Sequence, residues 1–266
     1  MTGRLEEIWR YPLKSIGRER LDRVRLTKGQ RLPFDRHWAV LHETTLAKLA
    51  ADLGDGDEIA SWMPKSAFLR GAAGPGLQGV SGGLHSGRLD LSHPDHGEIS
   101  VDPTKPADRD ALIAWLRPIW PADKAPPARL VSGPEALTDT RQPFVSINSL
   151  DSLHQVEIQL GQRLGTERWR GNLWVDGFEP FAEQDWIGRT IRIGLAELIV
   201  REPIGRCSAT SVDTQTGQPD IDMVRALTEA NGHAYFGVYA EVIHGAEIAE
   251  MAEIFLTDTP AEAATT

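Results

Sequence analysis

Apolar and polar residues alternate in short runs along most of this chain, a period-two pattern that predicts strands with one buried face. The runs fall at residues 5–10, 23–26, 38–41, 88–91, 129–131, 173–175, 190–193, 198–201 and 237–242. Glycine and proline punctuate them, most densely over 71–83 and 121–134. The 71–83 stretch reads as an exposed loop. No Gly-Lys-Ser/Thr follows it, which removes a phosphate-loop reading.

Helical spacing is rarer. Over 108–116, Leu112, Trp115 and Leu116 share a side, and Pro118 stops the run. The pattern over 149–160 is stronger: Ser149 can cap, Leu153, Val156 and Leu160 recur at helical spacing, and Gly161 supplies a stop. A weaker helix is predicted over 219–227. Many strands with a few short helices predict a mainly β, α+β chain of barrel type. The proline-rich 118–134 segment is the expected seam between two halves. This divides the chain at 1–120 and 121–258, with a small polar, frayed tail over 259–266.

Composition narrows the function. The chain has 266 residues, 41% hydrophobic and 25% charged, which suits a folded water-facing protein. Its net charge of -10 argues against a general nucleic-acid partner. Any anionic ligand must then be held by a local cluster of arginine and lysine against the overall field. No apolar run is long enough to span a bilayer, and the first residues carry too many charges for a secretory signal. One cysteine excludes an internal disulfide and any multi-cysteine metal site. These features predict a cytoplasmic protein with no membrane partner.

That cysteine, Cys207, follows Arg206, and the neighbouring positive charge favours its thiolate. The pattern Thr210, Val212, Asp213, Thr216, Gly217 predicts a short strand closing in a polar turn. A lone thiol there can be a soft metal ligand, a nucleophile, or a filler of apolar space. Other groups gather at predicted strand and helix ends: Tyr11-Pro12-Leu13-Lys14-Ser15, Asp35-Arg36-His37-Trp38, Ser146, Asn148 and Ser149 at the best helix start, and Trp169-Arg170-Gly171-Asn172. Free N–H groups at a helix start attract anions. His85, His93, Asp95 and His96 read as solvated turn residues rather than a metal site. Pairing Cys207 with His233 or His244 would make a cysteine hydrolase, the weaker reading.

Taken together these segments resemble the MOSC-domain proteins. The resemblance includes the N-terminal β-barrel domain found in the mitochondrial amidoxime-reducing component and its bacterial relatives. Tyr11-Pro12-Leu13-Lys14-Ser15 resembles that family's Tyr-Pro-Val/Ile-Lys-Ser, Asp35-Arg36-His37-Trp38 its Asp-Arg-x-Trp, and Arg170-Gly171-Asn172 its Arg-Pro-Asn. The 178–186 segment, Phe178-Glu179-Pro180-Phe181-Ala182-Glu183-Gln184-Asp185-Trp186, is similar to its acidic-aromatic stretch. Arg206-Cys207-x-x-Thr210-x-Val212-Asp213-x-x-Thr216-Gly217 resembles its cofactor-ligand segment, and Phe236-Gly237-Val238-Tyr239 a late strand.

The resemblance implies a molybdenum cofactor, a pterin dithiolene with a phosphate, whose metal Cys207 would ligate. It places Lys14, Ser15, Arg36, Ser149, Arg170, Arg206 and Tyr239 at the pterin and phosphate, with Ser146, Asn148 and Asn172 in second rank. It implies an oxidoreductase that reduces the N–O bond of small N-hydroxylated substrates. The iron–sulfur domain and membrane anchor of some relatives are not seen, so electrons would come from a separate ferredoxin- or cytochrome-type protein with its reductase. The alternative is a carrier of cofactor or sulfur without organic turnover. Three departures stand out: Ile204 and Gly205 replace a Cys-Pro pair of many relatives, Gly171 replaces proline, and Thr214 replaces the proline of a Val-Asp-Pro turn.

Overall fold

The structure is a computed structural model that describes residues 2–53 and 56–260. Seven strands close into a barrel: β1 (Thr2–Arg10), β2 (Phe144–Ser149), β3 (Leu173–Asp176), β4 (Arg189–Ile193), β5 (Ala196–Gly205), β6 (Tyr235–His244) and β7 (Glu253–Pro260). Their neighbour order is β3-β2-β6-β5-β4-β7-β1, and β1 pairs back onto β3 through Ile8 opposite Leu173. Closure leaves no free edge in this ring. Four helices are described: α1 (Glu43–Leu53), α2 (Pro106–Leu116), α3 (Leu150–Leu160) and α4 (Met223–Asn231). The β2/β3 pair is the parallel one in the barrel, and α3 is its crossover.

Alternation explains the core. Ile191 and Ile193 of β4, Leu198 and Val200 of β5, and Val238, Ala240 and Val242 of β6 all face inward. In β1 the inward residues Leu5 and Ile8 are three apart, because the ladder shifts between Leu5 and Glu7. A bulge of one residue restores the buried face after the break.

The rest of the chain builds the other β-rich body, which comes first in the sequence and is called the first body. Trp38–His42 pairs antiparallel with Pro127–Ser132, and Ser81–His85, Arg88–His93 and Gly97–Val101 form a meander. Leu112, Ile113 and Leu116 of α2 pack on Leu77, Val80, Leu89, Leu91 and Val101. The cores do not divide at a cut after residue 120. Strand β1 belongs to the barrel, whereas Pro127–Ser132, from the proline-rich seam, belongs to the first body. Local alternation marks a strand but does not name its partner. Residues 261–266 of the expected tail lie outside the described residues.

Two expectations are corrected here. The 71–83 stretch is not an exposed loop: Leu77 and Val80 are fully buried, 75–79 form a turn of 3-10 helix, and Ser81–His85 is a strand. Its many glycines permit close backbone approach rather than solvation. The third helix starts at Met223, with Asp222 as its cap, instead of at 219. The expected helix over 149–160 matches α3, capped by Ser149 and closed by Gly161 at φ 69°. No described helix is long and apolar enough to cross a membrane.

One buried acid has a pH consequence. Glu183 is fully buried at the start of the 3-10 turn Ala182–Trp186; Oε2 accepts from Ser152 Oγ at 2.8 Å and Oε1 has no partner. Burial pushes its carboxyl above the ordinary range. Above that range the unfolded chain ionises before the folded one, so the folded state loses stability as pH rises through the window. Glu183→Gln is expected to raise Tm at pH 7.5 and to give no gain at pH 4, as calorimetry at the two pH values would register.

Candidate functional site

Strand β5 ends at Gly205 and delivers Arg206 and Cys207 to the rim of the barrel. Cys207 is exposed and extended (φ -128°), and its carbonyl accepts from Thr210 N at 3.0 Å and Thr210 Oγ1 at 2.9 Å. Val212–Asp213 then pairs with Gln218–Pro219, and Gly217 at φ 67° turns the hairpin. This is the short strand and polar turn that the sequence predicts.

Buried side chains hold the loop from both bodies. Arg168, 3% exposed, donates to Thr210 O at 3.1 Å and forks onto Asp220 at 2.7 and 2.6 Å. From the first body, Gln78 Nε2 donates to Ala209 O at 2.9 Å. Arg18 donates to the carbonyls of Gln78, Val80 and Thr214. Gly79 meets Gly217 so closely that a Cβ on Gly79 would lie 3.1 Å from its Cα.

Across the hollow, Tyr11 organises the opposite wall. Its ring carries the guanidinium carbons of Arg36 and Arg170 at 4.5 and 4.4 Å from the centroid. Its hydroxyl donates to Gly171 O at 3.2 Å. Asp35 accepts from Tyr11 N at 2.9 Å and from Arg36 Nη1 at 2.5 Å, and Arg36 Nη2 donates to Arg170 O at 2.8 Å. Lys14 Nζ lies 2.5 Å from Asp139. Ser15, Arg36 and Arg170 all adopt positive φ, at 64°, 49° and 51°. Such conformations cost non-glycine residues about 1–3 kcal/mol each and persist where surrounding contacts impose them.

The cavity between these walls is lined by seven cationic side chains, Lys14, Arg36, Lys65, Arg70, Arg168, Arg170 and Arg206, against the carboxylates Asp35 and Asp139. In a protein of net charge -10 that is a strong local reversal. Arg206 donates to Trp169 O, Phe236 O and Asn148 Oδ1 at 2.6–2.9 Å, and Arg170 to Gly17 O and Leu13 O. Neither has a carboxylate partner among the described residues. Both keep some surface on the cavity, yet their recessed guanidinium groups are penalised as charges. Burial, with Arg36 beside it, pulls Arg170 down to about 9; burial pulls Arg206 down to about 10. Burial also lowers Lys14, which Asp139 offsets in part. For Arg36 burial acts the same way, but Asp35 outweighs it and holds the group above its ordinary value. At neutral pH the site therefore confines cations at an electrostatic cost that a bound anion would relieve. The hydroxyls of Ser15 and Tyr239 also line the cavity, with no hydrogen-bond partner among the described residues.

Of the residues singled out in the sequence, Lys14, Ser15, Arg36, Ser146, Arg170, Asn172, Arg206, Cys207 and Tyr239 line this cavity. Ser146 and Asn172 bond each other across the β2/β3 pair, Ser146 Oγ donating to Asn172 Oδ1 at 2.8 Å. Asn148 stands behind the wall, accepting from Arg206. Ser149 is a correction: fully buried, it accepts from Ser152 N at 3.2 Å as the α3 cap and does not reach the cavity. The start of α3 leads away, where Asp151 accepts from Gly177 N and Phe178 N. Tyr11, Asp35, Gln78, Arg168 and Asp139 were not singled out for roles. Asp35 and Tyr11 stood inside quoted motifs; Gln78, Arg168 and Asp139 had no local signal.

Two other corrections concern histidines. His244 sits at the far end of β6, opposite Glu197, whereas Tyr235 is opposite Gly205 beside the Cys207 loop. His233 Nδ1 accepts from Tyr235 N and bonds no thiol. No hydrolase pair forms. His93 is buried rather than solvated, accepting from Asp95 N. No group of three His, Cys, Asp or Glu able to hold a metal occurs among the described residues.

The fold and the site together are a closed β-barrel with an exposed thiol at its rim, facing a cation-lined hollow. Residues 135–254 match the MOSC domain, and the chain carries a MOSC domain over that stretch. Curated relatives are molybdenum cofactor sulfurases: one from Anopheles gambiae is 36% identical over 74 residues, 27% of this chain and 9% of that protein. One from Danio rerio is 38% identical over 74 residues, with the same shares. The chain thus spans under a tenth of the length of these relatives. Among solved structures, YUAD protein from Bacillus subtilis aligns over 96% of both chains at 15% identity and TM-score 0.49. YiiM from Geobacillus stearothermophilus aligns over 45% of this chain and 56% of its own at 18% identity and TM-score 0.35.

The wall behind Arg206 contains a slot. A Cβ on Gly171 would lie 1.5 Å from Asn148 Nδ2, and one on Gly237 would lie 1.9 Å from Asn148 Oδ1. Gly171→Ala is expected to cost about 2–3 kcal/mol by overpacking, and Asn148→Ala in that background should recover part of it, measured by denaturant melts. Ser149→Ala is expected to cost about 1 kcal/mol as a lost cap, with anion binding unchanged by calorimetric titration.

Proposed function

We propose that this protein binds a molybdenum cofactor at the cation-lined hollow and reduces N–O bonds of small N-hydroxylated compounds there. The carrying observation is the exposed Cys207 thiol in one hollow with Arg170 and Arg206, half-buried guanidinium groups that have no carboxylate partner among the described residues. The donor set fits the group. A soft thiolate suits a metal already bound by dithiolene sulfur. Cys207 would ligate the metal. Lys14, Arg36, Arg170 and Arg206, with the unpartnered hydroxyls of Ser15 and Tyr239, would grip the pterin and its phosphate. Ser146 and Asn172 would form the floor.

When bound, the cofactor supplies two-electron redox chemistry. The chain's own residues orient it, hold the thiol extended at the rim, and neutralise its anionic tail. In the net reaction the N–O bond breaks, two electrons and two protons are taken up, and water leaves. A separate ferredoxin- or cytochrome-type protein would deliver the electrons in the cytoplasm, where Cys207 stays reduced. A second reading, transfer of cofactor or sulfur through Cys207, draws support from relatives named molybdenum cofactor sulfurase.

The test is metal analysis with activity. Purified protein is expected to hold about one molybdenum per chain, and Cys207→Ser to lose benzamidoxime reduction by at least 100-fold with an artificial donor. Protein free of molybdenum overturns the reading; retained molybdenum with no reduction, but transfer to an apo-enzyme, favours the carrier. In the cofactor-free chain, inorganic phosphate is expected to raise Tm at pH 7, and an unchanged Tm at 50-fold molar excess or above would remove the anion-site argument.

A further inference from the structure

Six of the seven cations lining the hollow are already tied to protein acceptors. Lys14 and Lys65 face Asp139, Arg36 faces Asp35, Arg168 faces Asp220, and Arg170 and Arg206 donate to carbonyls. Arg70 differs. Its guanidinium has no hydrogen bond or ion pair to any described residue, although the side chain is only half-exposed. Its backbone, by contrast, is fixed. The preceding Leu69 is fully buried and donates its N–H to Val40 O at 2.8 Å. The Arg70 carbonyl accepts from Ala73 N and Gly74 N. Gly71 lies against the Gln78 amide, which in turn holds Ala209 of the Cys207 loop.

An uncommitted guanidinium on a hydrogen-bonded turn of the first body therefore shares one hollow with the thiol. Gly71 and Ala72, which follow it, line the same hollow. We infer that Arg70 is a specificity-determining residue, which recognises an oxyanion group on the organic substrate, a carboxylate being the simplest case. The guanidinium fork matches such a group with two parallel N–H···O bonds. The inference rests on the reading of this hollow as the substrate site, and it adds that the favoured substrate is an acid.

The solitary cysteine offers a direct probe. Iodoacetate and iodoacetamide have nearly the same shape and differ by one negative charge, and near neutral pH each alkylates the single thiol, Cys207, far faster than any other side chain. In the full chain prepared without molybdenum cofactor, the iodoacetate-to-iodoacetamide rate ratio is expected to fall at least fivefold in Arg70→Gln. It should stay within twofold of wild type in Lys65→Gln, and Arg70→Lys should restore part of it. An unchanged ratio in Arg70→Gln overturns the inference, as does an equal fall in Lys65→Gln, which would make the effect one of general field. In cofactor-loaded protein, Arg70→Gln is expected to keep its molybdenum and to raise KM at least tenfold for a carboxylated amidoxime, with KM for benzamidoxime unchanged. Loss of molybdenum in Arg70→Gln would reassign Arg70 to the cofactor and overturn the proposal. Wild-type protein lacking molybdenum would sink the proposed function, while the alkylation ratio would still decide the role of Arg70.

Discussion

Two guanidinium groups stacked on one phenol ring set the geometry of the hollow. Tyr11 carries both Arg36 and Arg170, and only Arg36 has a carboxylate beside it. Like charges at this range repel, and burial adds to the penalty. The arrangement survives because the backbone is over-determined: Asp35 holds Tyr11 N, Arg36 holds Arg170 O, and Tyr11 holds Gly171 O. The left-handed conformations of Arg36 and Arg170 are the local expression of that constraint. The ring adds one shared face on which both cations rest beside the cavity.

The cysteine depends on the same economy of backbone acceptors. Arg18, Arg168 and Gln78 all end on carbonyl oxygens of or near the 207–217 loop. Carbonyl acceptors carry only partial charge, so they position a guanidinium without neutralising it. The loop is therefore held from the barrel and from the first body together, and the thiol stays exposed between them.

Much of this was legible in the sequence, for reasons that particular residues make plain. Strands with strict alternation, such as β4 and the middle of β6, were found because both faces differ in solvent contact. The α3 helix was found through its Ser149 cap and Gly161 stop. Strand β2 was not, because five of its six residues, including Ser146, Asn148 and Ser149, are buried and its polar side chains bond internally. Polarity there signals a satisfied network rather than solvent. The same fact misled the reading of Ser149. The site was legible where neighbouring residues in sequence supply it, as at 35–36 and 206–207. Gln78 and Asp139 reach it only through folding, so no spacing could name them.

The Asn148 amide fills the volume where Gly171 and Gly237 lack side chains. Any residue with a Cβ at position 171, proline included, would meet that amide, and the two could not occupy the same place. Positions 148 and 171 are therefore coupled: a side chain at 171 displaces the amide, and Arg206 then loses the oxygen to which it donates. The glycine is then less a relaxation of the backbone than the vacancy that lets an amide brace a cation.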